Sequence, residues 1–543
     1  MKHYLQSLRQ AIIDYWDSKA LCDYHGDSFT FGEMYAQMKR LHILFDKFGI
    51  KEGDKIAVCG RNQARWGISF LAANSYKAVV VPILSDFTPD SICSILNHSD
   101  SVLLFADAEI WKNIDGGKLQ SVRRVICLSD FSLLQGTDQD RLAFLEAEQA
   151  YIRKYPSGFS LRDVVLPEGN DKDLAVINYT SGSTGDPKGV MLRYECLSAN
   201  TEYAQKNVPC RPGDCILSIL PMAHMFGLEF EMLYPLCSGA TINYLGKTPS
   251  PSLLLKAMQE VRPYLVIAVP MIFEKIYRNK LKPVMEKPSI RFLVSIPGIR
   301  GIIFSKMRRT INNAFGGNVR EFIMGGAAVN PEVEDFFKRI RLNFTVGYGM
   351  TEAAPLLAYS SWRTFAPHSC GRAMDFVQLR IDSENPETVV GEIQAKGENL
   401  FSGYFKNERA TKAAFTEDGW FNTGDLGLID RKGNVYIKGR SKNMLLSSNG
   451  QNIYPEEIEC IINSLDYVTE SLVVSRDSKL VALVQLDENQ ISVDGADPEQ
   501  IAKRIKLDVN TKVPGYSGLY KVEIMREPFQ KTPKLTIKRF LYK

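Results

Sequence analysis

The sequence has no apolar run approaching the roughly 18 residues that a membrane-spanning helix requires, so no transmembrane segment is expected. Its opening stretch, MKHYLQSLRQAIIDYW, has neither an apolar h-region nor a small-residue cleavage site, and no secretion signal is expected there. The ten cysteines include no C-x-x-C pair, and no Cys/His cluster falls at zinc spacing. That pattern gives no sign of a disulfide framework and argues against structural zinc. Scattered thiols in a large chain fit a reducing, cytoplasmic setting. An excess of one charge is missing too: 66 Lys+Arg against 62 Asp+Glu leave +4 over 543 residues. No stretch interleaves basic and aromatic residues, so nucleic acid is not an expected partner. Internal repeats and low-complexity tracts are absent, which removes solenoid readings.

What is present describes a globular protein of two or more domains: 45% hydrophobic and 24% charged residues over a chain too long for one ordinary core. In the first half, helical and strand patterns alternate. TFGE at 30–33 has capping-box spacing ahead of a helix whose apolar face is Met34, Met38, Leu41, Phe45 and Phe48, with Gly49 placed to close it. The strand-like DKIAVCG, the helical WGISFLAANSY, and the strand-like AVVVPIL and VLLFAD follow. Such alternation predicts βαβ units and largely parallel sheets. The polar segment 111–171 has weak periodicity and reads as peripheral. Near Gly439 the pattern changes. Short β-like pieces (GEIQAKG, GNVYIKGR) give way to a helix opening at Pro455, two strand-like runs, a helix from about Pro498 and a strand, YKVEIM. The expected organisation is an α/β N-terminal domain over 1–438, with βαβ-type sheets and a β-barrel-like part, and a small, mobile α+β domain over 439–543.

The stretch YTSGSTGDPKGVM at 179–191 gathers Gly, Ser and Thr around one lysine. It fails the P-loop pattern, because Pro187 rather than Gly precedes Lys188, and it lacks dinucleotide-fingerprint spacing. The physics of a phosphate cradle still applies: glycines let backbone N–H groups approach an anion, hydroxyls donate, and Lys188 adds charge.

Further motifs follow in order: PMAHMFG (221–227), GGAAV (325–329), GYGMTEAAP (347–355), TGDLG (423–427), GRSKNM (439–444) and NGQNIYPEEIE (449–459). With these the chain resembles the AMP-forming adenylating enzymes, which include acyl-CoA synthetases, luciferases and peptide-synthetase adenylation domains; the similarity runs from about Leu21 to the C-terminus. The resemblance implies two half-reactions. A carboxylate attacks the α-phosphorus of ATP to give an acyl-adenylate and pyrophosphate; a thiol then displaces AMP, with the small domain turning between the steps.

It also implies roles for single residues. Thr180, Ser181, Gly182, Ser183, Thr184, Gly185 and Lys188 would hold the ATP phosphates, and Thr351 would meet a phosphate. Glu352 would bind Mg²⁺, a hard cation that prefers oxygen ligands. Tyr348 and Gly349, with Gly326 and Ala327 close by, would form the adenine site. Asp425 would accept from both ribose hydroxyls, and Arg440 would approach the ribose or phosphate. Lys442 would be the pivot, and His224 would lie near the substrate carboxylate. Gly450 would border the pantetheine tunnel of coenzyme A, although SSNGQN is one residue longer here than a common SGGEN form.

One departure concerns the C-terminus, FQKTPKLTIKRFLYK. Aligning KTP with the family's usual ending puts Thr536 where a catalytic lysine stands. Losing one preorganised transition-state contact costs about 3–4 kcal/mol. On an extended segment Lys534 and Lys538 would point to the same side as Thr536, about 6.6 Å away, and either would be placed to substitute. No aspartate appears in AHMFGLEF, which disfavours an amino-acid substrate, while AVPMIFEKIY (268–277) resembles long-chain fatty acyl-CoA synthetases. The expected substrates are therefore a long-chain fatty acid, ATP and coenzyme A. Two alternatives stay open: an adenylation-impaired binding protein with a regulatory role, and an enzyme that acylates an acyl carrier protein. The stretch 291–310 mixes apolar residues with five basic ones and would suit peripheral contact with a membrane. Pro297, Gly298 and Gly301 interrupt a helix there, and an ordinary packed segment is the expectation.

Overall fold

The computed structural model describes residues 1–542 other than 168, 181–186, 209, 248–249, 447–450, 478 and 533–535, with the side chain of Asn279 also left aside. Two seven-stranded sheets dominate the N-terminal part. The first is ordered Leu133–Gln135, Arg124–Cys127, Ser101–Ala106, Lys55–Cys59, Val79–Ile83, Leu174–Thr180 and Lys188–Arg193; it is parallel apart from an antiparallel pair at each edge. The second is ordered Phe344–Val346, Glu321–Met324, Leu265–Ala268, Cys215–Ser218, Thr241–Tyr244, Lys19–Asp23 and Ser28–Thr30, parallel except for its last pair.

Helix Ala64–Ser75 packs between the two sheets, which is why its sequence is apolar on every face and not amphipathic. A Cβ on Gly67 would sit 2.9 Å from the Tyr244 hydroxyl and 3.2 Å from Leu21, so the helix lies as close to the second sheet as a backbone can. Helix Phe31–Phe48 is capped as expected: the Thr30 hydroxyl accepts from the Glu33 N–H, the Glu33 carboxylate accepts from the Thr30 N–H, and Gly49 ends the helix at φ 69°. The polar stretch is ordered as well as peripheral. It forms edge strands of the first sheet and helix Asp138–Lys154, laid on Phe31–Phe48 through the ion pairs Arg40–Glu148 and Lys47–Glu146.

The barrel-like part is a four-stranded antiparallel sheet, Val377–Asp382, Gly391–Gly397, Phe421–Ile429 and Val435–Arg440, beside three short strands at Tyr348–Gly349, Leu356–Tyr359 and Arg372–Ala373. The last strand runs through Gly439, and the turn Ser441–Asn443 follows it. The C-terminal unit has its own core, centred on Ile458, Ile462, Ala482, Val484, Ile505 and Val509. Strands Val468–Arg476 and Lys479–Leu486 pair antiparallel, Lys521–Ile524 joins in parallel, and helices Pro455–Asn463 and Pro498–Asn510 cover them. Arg278 reaches across from the N-terminal part and donates to the carbonyls of Val468, at 2.7 Å, and Asn463.

All ten cysteines are free thiols, and no helix among the described residues is long and apolar enough to cross a membrane.

Glu229 is fully buried; its Oε1 accepts from the Thr201 hydroxyl at 2.6 Å and its Oε2 has no partner among the described residues. Burial pushes this carboxyl up to about 8, against the opposing hydrogen bond. The folded state therefore holds a proton that the unfolded chain releases near pH 4.5, and stability falls as pH rises from there towards 8. Glu229→Gln removes that loss: melting temperatures taken between pH 5 and 8 should decline less steeply than in the parent, with the variant the more stable at pH 8. An unchanged slope would mean that Glu229 is not the group responsible.

Candidate active site

Strands Leu174–Thr180 and Lys188–Arg193 run antiparallel with Thr180 opposite Lys188. The loop between them, carrying Ser181, Gly182, Ser183, Thr184 and Gly185, lies outside the described residues. The free edge of strand Lys188–Arg193 takes up the segment 402–405. Met191 N–H donates to Gly403 O at 3.0 Å, Ser402 N–H to Met191 O at 3.0 Å, and Phe405 N–H to Gly189 O at 2.8 Å. This pairing sets the Lys188 Nζ 5.1 Å from the centre of the Tyr404 ring. The Tyr404 hydroxyl in turn donates to Glu352 Oε1 at 3.0 Å. Burial, then the adjoining Glu352 carboxylate, pushes the Tyr404 phenol far above its ordinary range, so it stays a donor.

Glu352 sits in the tight turn Thr351–Ala353. Before it, Met350 N–H donates to Pro355 O at 2.7 Å, and a Cβ on Gly349 would come within 2.1 Å of that same oxygen. Only glycine allows this doubling back, which carries Tyr348 one way and Thr351 with Glu352 the other.

Asp425 lies on strand Phe421–Ile429 directly opposite Arg440. Its Oδ2 accepts from the Tyr348 hydroxyl at 2.8 Å and its Oδ1 pairs with Arg440 Nε at 2.7 Å. Thr423 supports it, accepting the Asp425 N–H at 3.1 Å while donating to Ile393 O at 2.7 Å. Burial pushes the Asp425 carboxyl above its ordinary value; the Arg440 guanidinium and Tyr348 hydroxyl oppose this, and the carboxylates of Glu352 and Glu456 add to it. The phosphate-side and ribose-side groups expected from sequence thus lie within electrostatic reach of each other. Two details differ from the expected roles. Tyr348 is only 5% exposed, and both Asp425 oxygens are already engaged, so a ribose would have to take the place of Arg440 or Tyr348 on this carboxylate.

The loop 221–227 is held from both sides. Asn62 Nδ2 donates to Leu220 O at 2.6 Å while its Oδ1 accepts from Met222 N–H at 2.9 Å. Buried Glu231 Oε2 accepts from the Ser218 hydroxyl and the N–H groups of Ile219 and Leu220. His224 caps the turn Met225–Gly227 with its Nδ1, which accepts from Phe226 N–H at 3.3 Å. The Phe226 ring meets Gly325, where a Cβ would lie 3.1 Å from it. Beyond Gly325 come Gly326, at φ 81°, and Ala327, both exposed past the end of strand Glu321–Met324.

Lys442 is exposed in its turn between the last N-terminal strand and the small domain; Gly450 and Lys534 lie outside the described residues. The described residues of the C-terminal tail pair with one another on either side of 533–535. Thr532 N–H donates to Thr536 O at 2.8 Å, their hydroxyls are 2.6 Å apart, and Lys531 pairs with Ile537. Thr532 and Thr536 therefore lie close together. Beyond them, both Arg539 Nη atoms engage Glu459 at 2.7 Å, which fastens the tail to helix Pro455–Asn463. Lys538 is half-buried next to that clamp.

Comparison with known sequences accounts for the convergence. The family described as AMP-binding enzyme matches residues 9–405, and the family described as AMP-binding enzyme C-terminal domain matches 442–542. The chain is an AMP-binding enzyme.

This AMP-binding enzyme is 26% identical over 500 residues to the long-chain-fatty-acid–CoA ligase FadD15 of Mycobacterium bovis, covering 87% of this chain and 80% of that protein. It is 27% identical over 516 residues to long-chain-fatty-acid–CoA ligase 1 of Saccharomyces cerevisiae, covering 86% and 72%. Among solved structures, the anthranilate CoA ligase AuaEII in complex with anthranoyl-AMP superposes with a TM-score of 0.80 at 18% identity, over 99% of this chain and 96% of that one. ATP-bound MatB from Rhodopseudomonas palustris gives 0.76 at 23%, over 98% and 97%. At these identities the superpositions establish the adenylate-forming fold.

Sequence reading missed Tyr404, Asn62 and Glu231. Two glutamates inside the otherwise apolar GLEFEMLYPL were a usable signal for buried, committed carboxylates; nothing in the spacing around Tyr404 or Asn62 marks them. Tyr404→Phe deletes one hydrogen bond to a carboxylate, an interaction worth about 1.5–3 kcal/mol. Adenylation measured as acid-dependent pyrophosphate release should drop roughly ten- to hundredfold without a matching loss of thermal stability. An unaltered rate would show that Tyr404 does not position Glu352.

Proposed function

We propose that this chain converts a long-chain fatty acid and ATP to an acyl-adenylate and pyrophosphate, and then, with coenzyme A, to the acyl-CoA thioester and AMP. The AMP-forming acid–CoA ligase part rests on the family match over both domains. The observation that carries it is the convergence of Lys188, Glu352, Tyr348, Asp425 and Arg440, drawn from segments as much as 252 residues apart, through Tyr404 and the strand pairings. The long-chain part is supported by the names of the relatives and by the AVPMIFEKIY resemblance.

Phosphoryl chemistry of this kind depends on positioning and charge neutralisation more than on a protein nucleophile. Lys188 brings a cation to the base of the loop proposed for the outer phosphates of ATP. The Glu352 side chain fits Mg²⁺: Tyr404 binds one oxygen, the other accepts nothing among the described residues, and magnesium commonly takes one or two carboxylates plus substrate phosphates. When bound there, the ion would neutralise phosphate charge. Asp425 and Arg440 would hold the ribose side and His224 the carboxylate of the acid. The unit 439–543 would turn about Lys442 for the second half-reaction, a conformational step of the kind that often limits turnover.

A second reading has its own observation. The Thr536 hydroxyl is bonded to Thr532 and brings no charge where a lysine is expected, which favours an adenylation-impaired binding protein. Transfer to an acyl carrier protein would change the acceptor alone.

Pyrophosphate release should be followed with ATP, Mg²⁺ and a panel of acids of graded chain length, with and without CoA. The proposed function expects release that requires a long-chain acid, and acyl-CoA when CoA is present. Binding of ATP with no release for any acid would move the second reading to the front. On the active enzyme, Lys534→Ala with Lys538→Ala should lower the adenylation half-reaction roughly 10²–10³-fold if either lysine replaces the missing one, leaving thioester formation from supplied acyl-adenylate intact. Equal rates in parent and variant would leave neither lysine a role.

A further inference from the structure

The stretch 291–310 is packed on one side, as expected from sequence, and exposes apolar side chains elsewhere. It folds as two helices, Pro288–Ser295 and Ile299–Ala314, joined at Pro297 and Gly298; Gly301 lies inside the second helix and does not interrupt it. One face of the second helix, with Phe304, Met307 and Ile311, packs into the core around Phe273 and Phe315. The opposite side is exposed. Phe292 is 68% exposed and Ile302 is 71% exposed, and Ile299 at the start of the second helix is exposed as well.

The charge along this stretch of sequence has one sign. Between Glu286 and Glu321 there is no acidic residue, while seven are Lys or Arg. Behind the tip, a cavity of about 750 Å³ opens between the second helix and the end of helix Pro331–Arg339. Arg300, Arg308, Arg339 and Arg341 line it together with Val294 and Phe304. None of these four guanidinium groups makes a hydrogen bond or ion pair among the described residues. Arginines left unpaired in a recess are unusual where 62 acidic side chains are available elsewhere in the chain, and guanidinium is the side chain best shaped for phosphate.

We propose that the two-helix element 288–314 is a docking surface for anionic lipid bilayers. Phe292, Ile299 and Ile302 enter the interface between headgroups and acyl chains, and the arginine-lined recess receives lipid phosphates. Apolar tip and basic collar together are the signature of interfacial binding. Nucleic acid would use the charge but has no use for an isoleucine and a phenylalanine that are both largely exposed to water. The inference does not depend on which acid the enzyme activates, since binding can be read without nucleotide or substrate.

The full chain should be sedimented with vesicles of equimolar phosphatidylglycerol and phosphatidylcholine, and with phosphatidylcholine alone. Binding is expected to the first and not the second. Arg300→Glu with Arg308→Glu should weaken it at least about tenfold, given the attraction each basic residue feels near an anionic surface, and so should Phe292→Ser with Ile302→Ser. These side chains are exposed or line an open recess, so unchanged melting temperatures should show that both variants fold, and neither should lose pyrophosphate release with a dissolved acid. Binding that ignores the Phe292/Ile302 pair would reduce the surface to a polycation and overturn the proposal. So would equal displacement of vesicles by a single-stranded oligonucleotide. Absence of vesicle binding together with a dimer abolished by Phe292→Ser and Ile302→Ser would make this face a contact between copies of the chain, again against the proposal.

Discussion

Three backbone hydrogen bonds between Gly189–Met191 and the segment 402–405 hold the site together. They extend the first sheet sideways by one short stretch of chain, and that stretch links the parallel sheet to the antiparallel part. It works alongside Asn200, which donates to Ala353 O at 3.0 Å and accepts from Leu356 N–H at 3.0 Å, to fix Glu352 relative to Lys188. Gly189 makes the approach feasible: a Cβ there would press 2.8 Å from Ile177 and 3.1 Å from the Tyr179 ring. Main-chain pairing is well suited to this task, because it fixes register without relying on long, flexible side chains.

On that frame the charges are arranged as alternating donors and acceptors. Lys188 faces the Tyr404 ring, Tyr404 serves Glu352, Tyr348 and Arg440 share Asp425, and Asn443 donates to Glu456 at 2.6 Å. Three carboxylates, Glu352, Asp425 and Glu456, lie close enough to raise the proton affinity of the most buried of them. Arg440 pairs with one of the three, Asp425, and Arg539 approaches another, Glu456, at 3.9 Å.

Much of this was legible before any coordinates. The capping box at Thr30 and Glu33, the βαβ order of the first half and the helix opening at Pro455 are local signals, set by hydrogen bonds within a few residues, and each appears as read. The site motifs were legible by resemblance, and the structure brings Lys188, Tyr348, Glu352, Asp425 and Arg440 into one neighbourhood. What escaped is non-local. Tyr404 matters because of pairing with a strand more than 200 residues earlier, and Asn62 because of a loop some 160 residues later. The Arg539–Glu459 clamp escaped for the same reason, since it joins side chains 80 residues apart. Gly301 misled because one glycine in a helix costs only about 1 kcal/mol, which the packing of Phe304, Met307 and Ile311 offsets.

The grip of Arg278 on the small domain has an evolutionary side. Its guanidinium holds the carbonyls of Val468 and Asn463, oxygens that every residue type supplies, at the end of a helix where a cation is favoured by the peptide dipoles. Almost any substitution at 463 or 468 would leave those oxygens in place. Positions 463 and 468 can therefore drift in sequence without loss of this contact, whereas the neighbouring Lys282–Asp466 pair depends on a side chain of the small domain.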